Sequence, residues 1–90
     1  LNHLIKQFVN QKINGLTAGE LEQLARRYGV FFNNRQAEAI IAVLRRQPVD
    51  IFSEGERKAI LGQIAATTDP GLAGELEKLF QRFLRWANRQ

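Results

Sequence analysis

From Asn2 to about Asn14 the apolar positions Leu4, Ile5, Phe8, Val9 and Ile13 step by one, three and four, which predicts an amphipathic helix. Gly15 stops it. The same spacing returns in Leu21, Leu24, Ala25 and Tyr28, and Gly29 is placed to end this second helix in a left-handed conformation. A third helix is predicted from Asn34 to about Arg46, with Ala37, Ile40, Ile41 and Leu44 inward, and Pro48 ends it by pushing the preceding residue out of helical geometry. The fourth, Glu54 to about Ala66, turns Ile60, Leu61 and Ile64 inward. It should be the weakest, because Gly55 and Gly62 each cost about 1 kcal/mol relative to Ala. The fifth, Pro70 to about Asn88, carries Leu72, Leu76, Leu79, Phe80, Phe83, Leu84, Trp86 and Ala87, a face wider than one neighbour can cover. It is either the central helix or half of an interface.

Polar punctuation segments the chain in the same way. Thr17-x-x-Glu20, Asn33-x-x-Gln36 and Ser53-x-x-Glu56 each read as a capping box, in which the first side chain accepts from the amide three residues on and the acid or amide reaches back to the cap's own N–H. Asp69 caps the last helix, with Pro70 at the first helical position, where its missing amide is harmless. Leu16, ahead of the Thr17 cap, is placed to pack on Leu21 as a hydrophobic staple. Thr17 to Ser53 and Asn33 to Asp69 share an offset of thirty-six positions. A duplicated hairpin would give that offset, and so would two independently capped hairpins, the reading preferred here. Between helices, Val30-Phe31-Phe32 and Val49-Asp50-Ile51-Phe52 are short and β-prone. They either pair as a tiny two-stranded ribbon or stay irregular.

Ninety residues, 44% hydrophobic and 24% charged, fit one globular domain over 1–90. The expected fold is all-α: a compact bundle of five short helices, made from two capped hairpins and an N-terminal helix. No apolar run approaches the ~18 residues of a membrane span, and Lys, His and Asn interrupt Leu1 to Asn10, unlike a secretory signal. Cys is absent, which fits a reducing compartment, so a cytoplasmic protein without membrane partners is expected. The chain opens on Leu rather than Met, so native residues upstream are also expected.

Composition then narrows the chemistry. One His and one Ser cannot build a nucleophilic triad when His3 lies near a terminus and Ser53 is committed to a cap. Asp50, Glu54 and Glu56 form the one closely spaced carboxylate group, and it lacks the ligand pattern and Gly of a calcium loop. Transition metals want clustered His or Cys. Gly71 and Gly74 lie on a helix without the Lys of a phosphate loop. No catalytic residue, cofactor, metal or small-molecule substrate is therefore expected, and the protein is not expected to be an enzyme.

The net charge of +4 raises the question of an anionic partner. Glu20 and Glu22 in the first turn of the second helix, Arg26 and Arg27 in its last, Arg45 and Arg46 closing the third, and Glu54 and Glu56 opening the fourth suit the helix macrodipole. Two basic features remain. Arg82, Arg85 and Arg89 form a one-sided stripe with no acid after Glu77. The other is the helix–loop–helix from Leu16 to Leu44. Leu16-Thr17-x-x-Glu20-Leu21, Gly29-Val30 and Ala37-Glu38-x-Ile40 resemble the SAP and Rho-N-terminal class of helical nucleic-acid-binding motifs over a third of the chain. That resemblance implies contact through Asn33, Asn34 and Arg35. The chain departs from the pattern with Asn34 at the usual Gly, Gln36 at the usual basic residue, and Phe31-Phe32 in the loop.

A broader resemblance rests on Phe8-Val9-Asn10-Gln11-Lys12, Leu16-Thr17 with Glu20-Leu21, Gln36-Ala37, Ile51-Phe52 with Glu56-Arg57, Ile64-Ala65 with Thr68-Asp69-Pro70, and Leu79-Phe80-Gln81. In these the chain is similar to the YqfT-like proteins, a small bacterial family of unknown function. The resemblance implies an all-helical bacterial cytoplasmic protein and supplies no activity or binding residue.

The functional expectation is an interaction or regulatory module using the apolar face of the last helix. Leu76, Leu79 and Phe83 are expected in the core, and Trp86 available, with Phe83 or Leu84 beside it, for a protein partner or for a second copy in a homo-oligomer. The alternative is nucleic-acid binding through Arg82, Arg85 and Arg89 or through the Asn33–Arg35 loop.

Overall fold

The computed structural model describes residues 2–90, and Leu1 lies outside them. Five helices follow in order: α1 His3–Asn14, α2 Ala18–Arg27, α3 Asn34–Leu44, α4 Glu54–Thr67 and α5 Pro70–Asn88. No residue among 2–90 lies in a strand, so the chain is all-α. The helices start where short polar side chains take up orphan amides. Thr17 Oγ1 accepts from Glu20 N at 3.1 Å while Glu20 Oε1 accepts from Thr17 N at 3.0 Å. Asn33 and Gln36 repeat the exchange at 2.8 and 2.9 Å. Asp69 Oδ1 accepts from Leu72 N at 2.8 Å, with Pro70 at the first helical position. Gly29 takes φ +76 after α2, the left-handed ending that its lack of Cβ allows.

The third expected box is only half made. Ser53 Oγ accepts from Glu56 N at 3.2 Å, but Glu56 Oε1 reaches past the cap to Asp50 N at 3.2 Å. Ser53 N has turned to Asp50 O instead. A tight turn at 50–53 presents Asp50's amide where a straight lead-in would present the cap's own.

α2 packs on α3 and α4 on α5, giving two hairpins, with α3 against α4 and α1 laid along α5. Leu21, Ala25, Ala37, Ile40, Val43, Leu44, Ile60, Ile64, Leu76, Leu79 and Phe80 form the centre of one continuous core. The connecting segments contribute to it as well. Val30 and Phe32 are buried while Phe31 between them is 73% exposed, the alternation of an extended backbone.

Instead of the two-stranded ribbon, α1 side chains satisfy the segment after Pro48. Asn14 Oδ1 accepts from Val49 N at 2.9 Å and its Nδ2 donates to Val49 O at 3.0 Å, so one amide pairs with both backbone groups of a residue as a neighbouring strand would. One turn earlier, Asn10 Oδ1 accepts from Ile51 N at 3.1 Å and its Nδ2 donates to Asp50 Oδ1 at 2.8 Å. Arg57 closes the other side, donating to Ile51 O at 2.9 Å and standing 3.7 Å from Glu77 of α5. These bonds hold Val49 and Ile51 in the core with their backbone paired.

Two more expectations are corrected by packing. The α1 stripe splits: Val9 and Ile13 are buried, Ile5 is partly covered, and Leu4 and Phe8 stand 69% and 61% exposed. α1 meets α5 along a narrow line that covers only part of its apolar face. On α5, Leu76 and Leu79 are buried, but Phe83, expected in the core, is half-buried at the edge of the bundle.

Candidate partner-binding surface

Where α1, α2 and the end of α5 meet, the bundle does not close. An apolar trough of about 160 Å³ opens there, floored by Val9 and Ile13 and walled by Leu24, Tyr28 and Phe83. Tyr28 and Phe83 meet edge to face, 6.0 Å between ring centroids at 86°, which fixes both rings against each other. Phe8, Lys12 and Trp86 complete the rim. Trp86 is 38% exposed, and Leu84 is half-buried against the core on another side of α5. The trough is small beside the ~300–1,000 Å³ of small-molecule sites and has room for about one large side chain.

Of the residues expected from sequence, Phe83 and Trp86 come together here, while Leu84 does not line the opening. The sequence places Phe8 on the apolar stripe of α1, and Leu24 and Tyr28 on that of α2. Their convergence depends on how α1 and α2 are placed against α5, which no local pattern encodes.

Lys12 stands on this rim, and further cations line the adjoining hollows. Arg82, Arg85 and Arg89 are all exposed, and none forms an ion pair among the described residues. Arg82 lies four residues before Trp86 and Arg89 three after, so both share its flank of the helix. Lys12 and Leu24 also line an adjoining hollow with Arg27, and Tyr28 lines another with Arg82 and Arg85. Acids near these hollows are already engaged. Glu75 pairs with Lys78 at 3.2 Å, Glu77 faces Arg57 and accepts from Gln81 at 2.9 Å, and Glu20 holds the Thr17 box.

The loop before α3 is exposed from Asn33 to Arg35. Asn33 is spent on its cap, and Asn34 Nδ2 donates to Glu22 Oε2 at 3.2 Å, leaving Arg35 as the side chain there without a hydrogen bond or ion pair among the described residues. Arg45, read from sequence as closing α3 in keeping with its macrodipole, is the residue that caps that helix, and it donates to Leu16 O at 2.7 Å, tying the end of α3 to the start of α2. Glu22 lies past the first turn of α2 and stands 4.0 Å from Arg26.

The carboxylates around α4 serve separate local tasks: Asp50 accepts from Asn10 and from Phe52 N, Glu54 pairs with Lys58 at 2.7 Å, and Glu56 holds Asp50 N. Two acids are shifted, both downward. Thr17's backbone N–H and hydroxyl, with Lys12 nearby, stabilise ionised Glu20; the Lys58 ammonium does so for Glu54. Among the described residues, no helix is long and apolar enough to cross a membrane.

Residues 1–84 match the model of a family described as "Protein of unknown function (DUF2624)". The chain belongs to this family. It is also 30% identical over 80 residues to the "Uncharacterized protein YqfT" of Bacillus subtilis (strain 168), an alignment covering 89% of this chain and 95% of that protein. The resemblance read from Phe8–Lys12, Ile51-Phe52 and Thr68-Asp69-Pro70 thus reflects family membership. No solved structure matches the chain. Several of the residues on which that resemblance was read have structural tasks in this chain: Asn10 and Arg57 anchor the 49–53 turn, and Asp69 caps α5.

Proposed function

We propose that this protein is a non-enzymatic, cytoplasmic interaction module that receives an apolar side chain of another polypeptide in the trough beside Trp86. The supporting observation is that a large aromatic side chain, 38% exposed, borders an apolar opening with room for one side chain. Aromatic anchors next to pockets carry a disproportionate share of interface energy, and Phe8 extends the apolar rim beyond the hole itself. Calorimetric titration with an uncharged amphipathic helix, Leu on one face and Gln on the other, tests this alongside sedimentation of the protein alone. Binding of the peptide, or self-association, should be lost in Trp86→Ala while the urea midpoint stays in place. Absence of both at millimolar peptide and protein would refute the proposal.

A second reading, nucleic-acid binding, draws on the exposed and unpaired Arg82, Arg85 and Arg89. Phosphate contacts would give a mobility shift that weakens steeply with salt. Replacing the three with Gln should lower affinity for any duplex or single strand and flatten that dependence. No shift at low salt would end this reading.

A further inference from the structure

We infer that the occupant of the trough is an acidic amphipathic helix of a partner protein, inserting one large apolar side chain beside Trp86 with carboxylates a turn to either side. This rests on the trough being a docking site and adds the chemistry of what docks. Charge complementarity carries it. α1 contains no acid between His3 and Asn14, and α5 none after Glu77. Lys12 stands on the trough rim, Arg27 lines the adjoining hollow, and Arg82 and Arg89 flank Trp86 one turn before and one turn after. Glu20, the acid beside Lys12, is held by the Thr17 amide.

The spacing of cations around the hole matches what a helix presents. A helical partner that buries a residue at position i shows its i−4 and i+3 side chains to the same surface, one turn away on either side. Carboxylates at those positions reach Arg82 and Arg89 while the apolar anchor fills the hole. A second copy fits less well, because symmetric docking of this face on itself brings two sets of unpaired cations together. A flat lipid surface would meet Phe8 and Trp86 but leave the concave floor of Val9 and Ile13 unfilled.

Three helical peptides with the same Leu positions and with Glu, Gln or Lys on the polar face test the inference, using the full chain. At low salt the Glu peptide should bind about tenfold tighter than the Gln peptide, as a few rim ion pairs would give, and the Lys peptide weakest. The gap should close at about 0.5 M salt, where exposed charges are screened. The double substitution Arg82→Gln with Arg89→Gln should also close it while Gln-peptide affinity is kept. Equal binding of Glu and Gln peptides would overturn the inference and leave the docking site standing. Self-association through Trp86 that excludes every peptide would overturn it in favour of a second copy. Binding to anionic phosphatidylglycerol vesicles without binding of the Glu peptide would overturn it in favour of a membrane surface. Failure of all three peptides, with no self-association, would remove the docking site and the inference together.

Discussion

At the scale of single residues, stability depends on side chains that stand in for backbone partners. The caps were legible because each is a local bargain between positions two or three residues apart, and Thr17, Asn33 and Asp69 make the bonds their spacing implies. Replacing Thr17, Asn33 or Ser53 by Ala should each cost about 1 kcal/mol in urea denaturation, with no loss at any of the three contradicting the helix boundaries. The Thr17–Glu20 box also has a pH signature. Because Glu20's folded pKa is lowered, its contribution is present above the unfolded value of about 4.3 and lost as pH falls below it through the folded one. Unmodified protein should therefore lose more stability than Glu20→Gln between neutral pH and pH about 3, and parallel losses would count against this linkage. Asn14 was not legible. Its partner Val49 lies 35 positions away, and an Asn near a helix end otherwise reads as a stop signal. Asn14→Leu should strip Val49 of both bonds and cost about 1–3 kcal/mol, whereas Asn14→Asp keeps an acceptor for Val49 N and should cost less. Equal stability of all three proteins would mean the pairing contributes nothing.

Helices are the level at which the sequence was most readable, since hydrophobic period and caps agree on α2 to α5. α5 spans Pro70–Asn88 as its cap, Pro and periodicity imply, and α4 begins at Glu54 behind Ser53. What the periodicity leaves open is which neighbour covers an apolar stripe. Leu4 and Phe8 belong to α1's stripe by spacing, yet remain exposed because the contact of α1 with α5 is narrow and covers only part of that stripe. Of the two readings open for the β-prone 30–32 and 49–52 segments, a ribbon or irregular loop, the chain takes the second: Asn10 and Asn14 claim the backbone of 49–51, which then turns at 50–53. α4 offers a direct check on the propensity argument. Gly62 is exposed mid-helix with open space where a Cβ would stand. Gly62→Ala should stabilise the protein by about 1 kcal/mol and raise its thermal midpoint by about 4–8 °C. An unchanged midpoint would place Gly62 under a constraint that the packing does not reveal.

For the molecule as a whole, the bundle closes over most of its apolar surface but stops short at one end. The prominence of Trp86 on the last helix was readable from its position beyond the core stripe; the trough was not, because it forms from three helices whose relative placement is tertiary. The cationic surroundings have the same character, with Lys12, Arg27 and Arg82 drawn from separate helices. Trp86 is the sole tryptophan of the chain, so its emission reports on this opening without labels. The direct measurement is that emission, with acrylamide quenching, during titration of the Glu-faced Leu helix. Docking should move the emission to shorter wavelength and protect Trp86 from acrylamide, saturating at one peptide per chain. Binding detected by heat while the Trp86 emission and quenching stay unchanged would place the contact surface elsewhere on the protein.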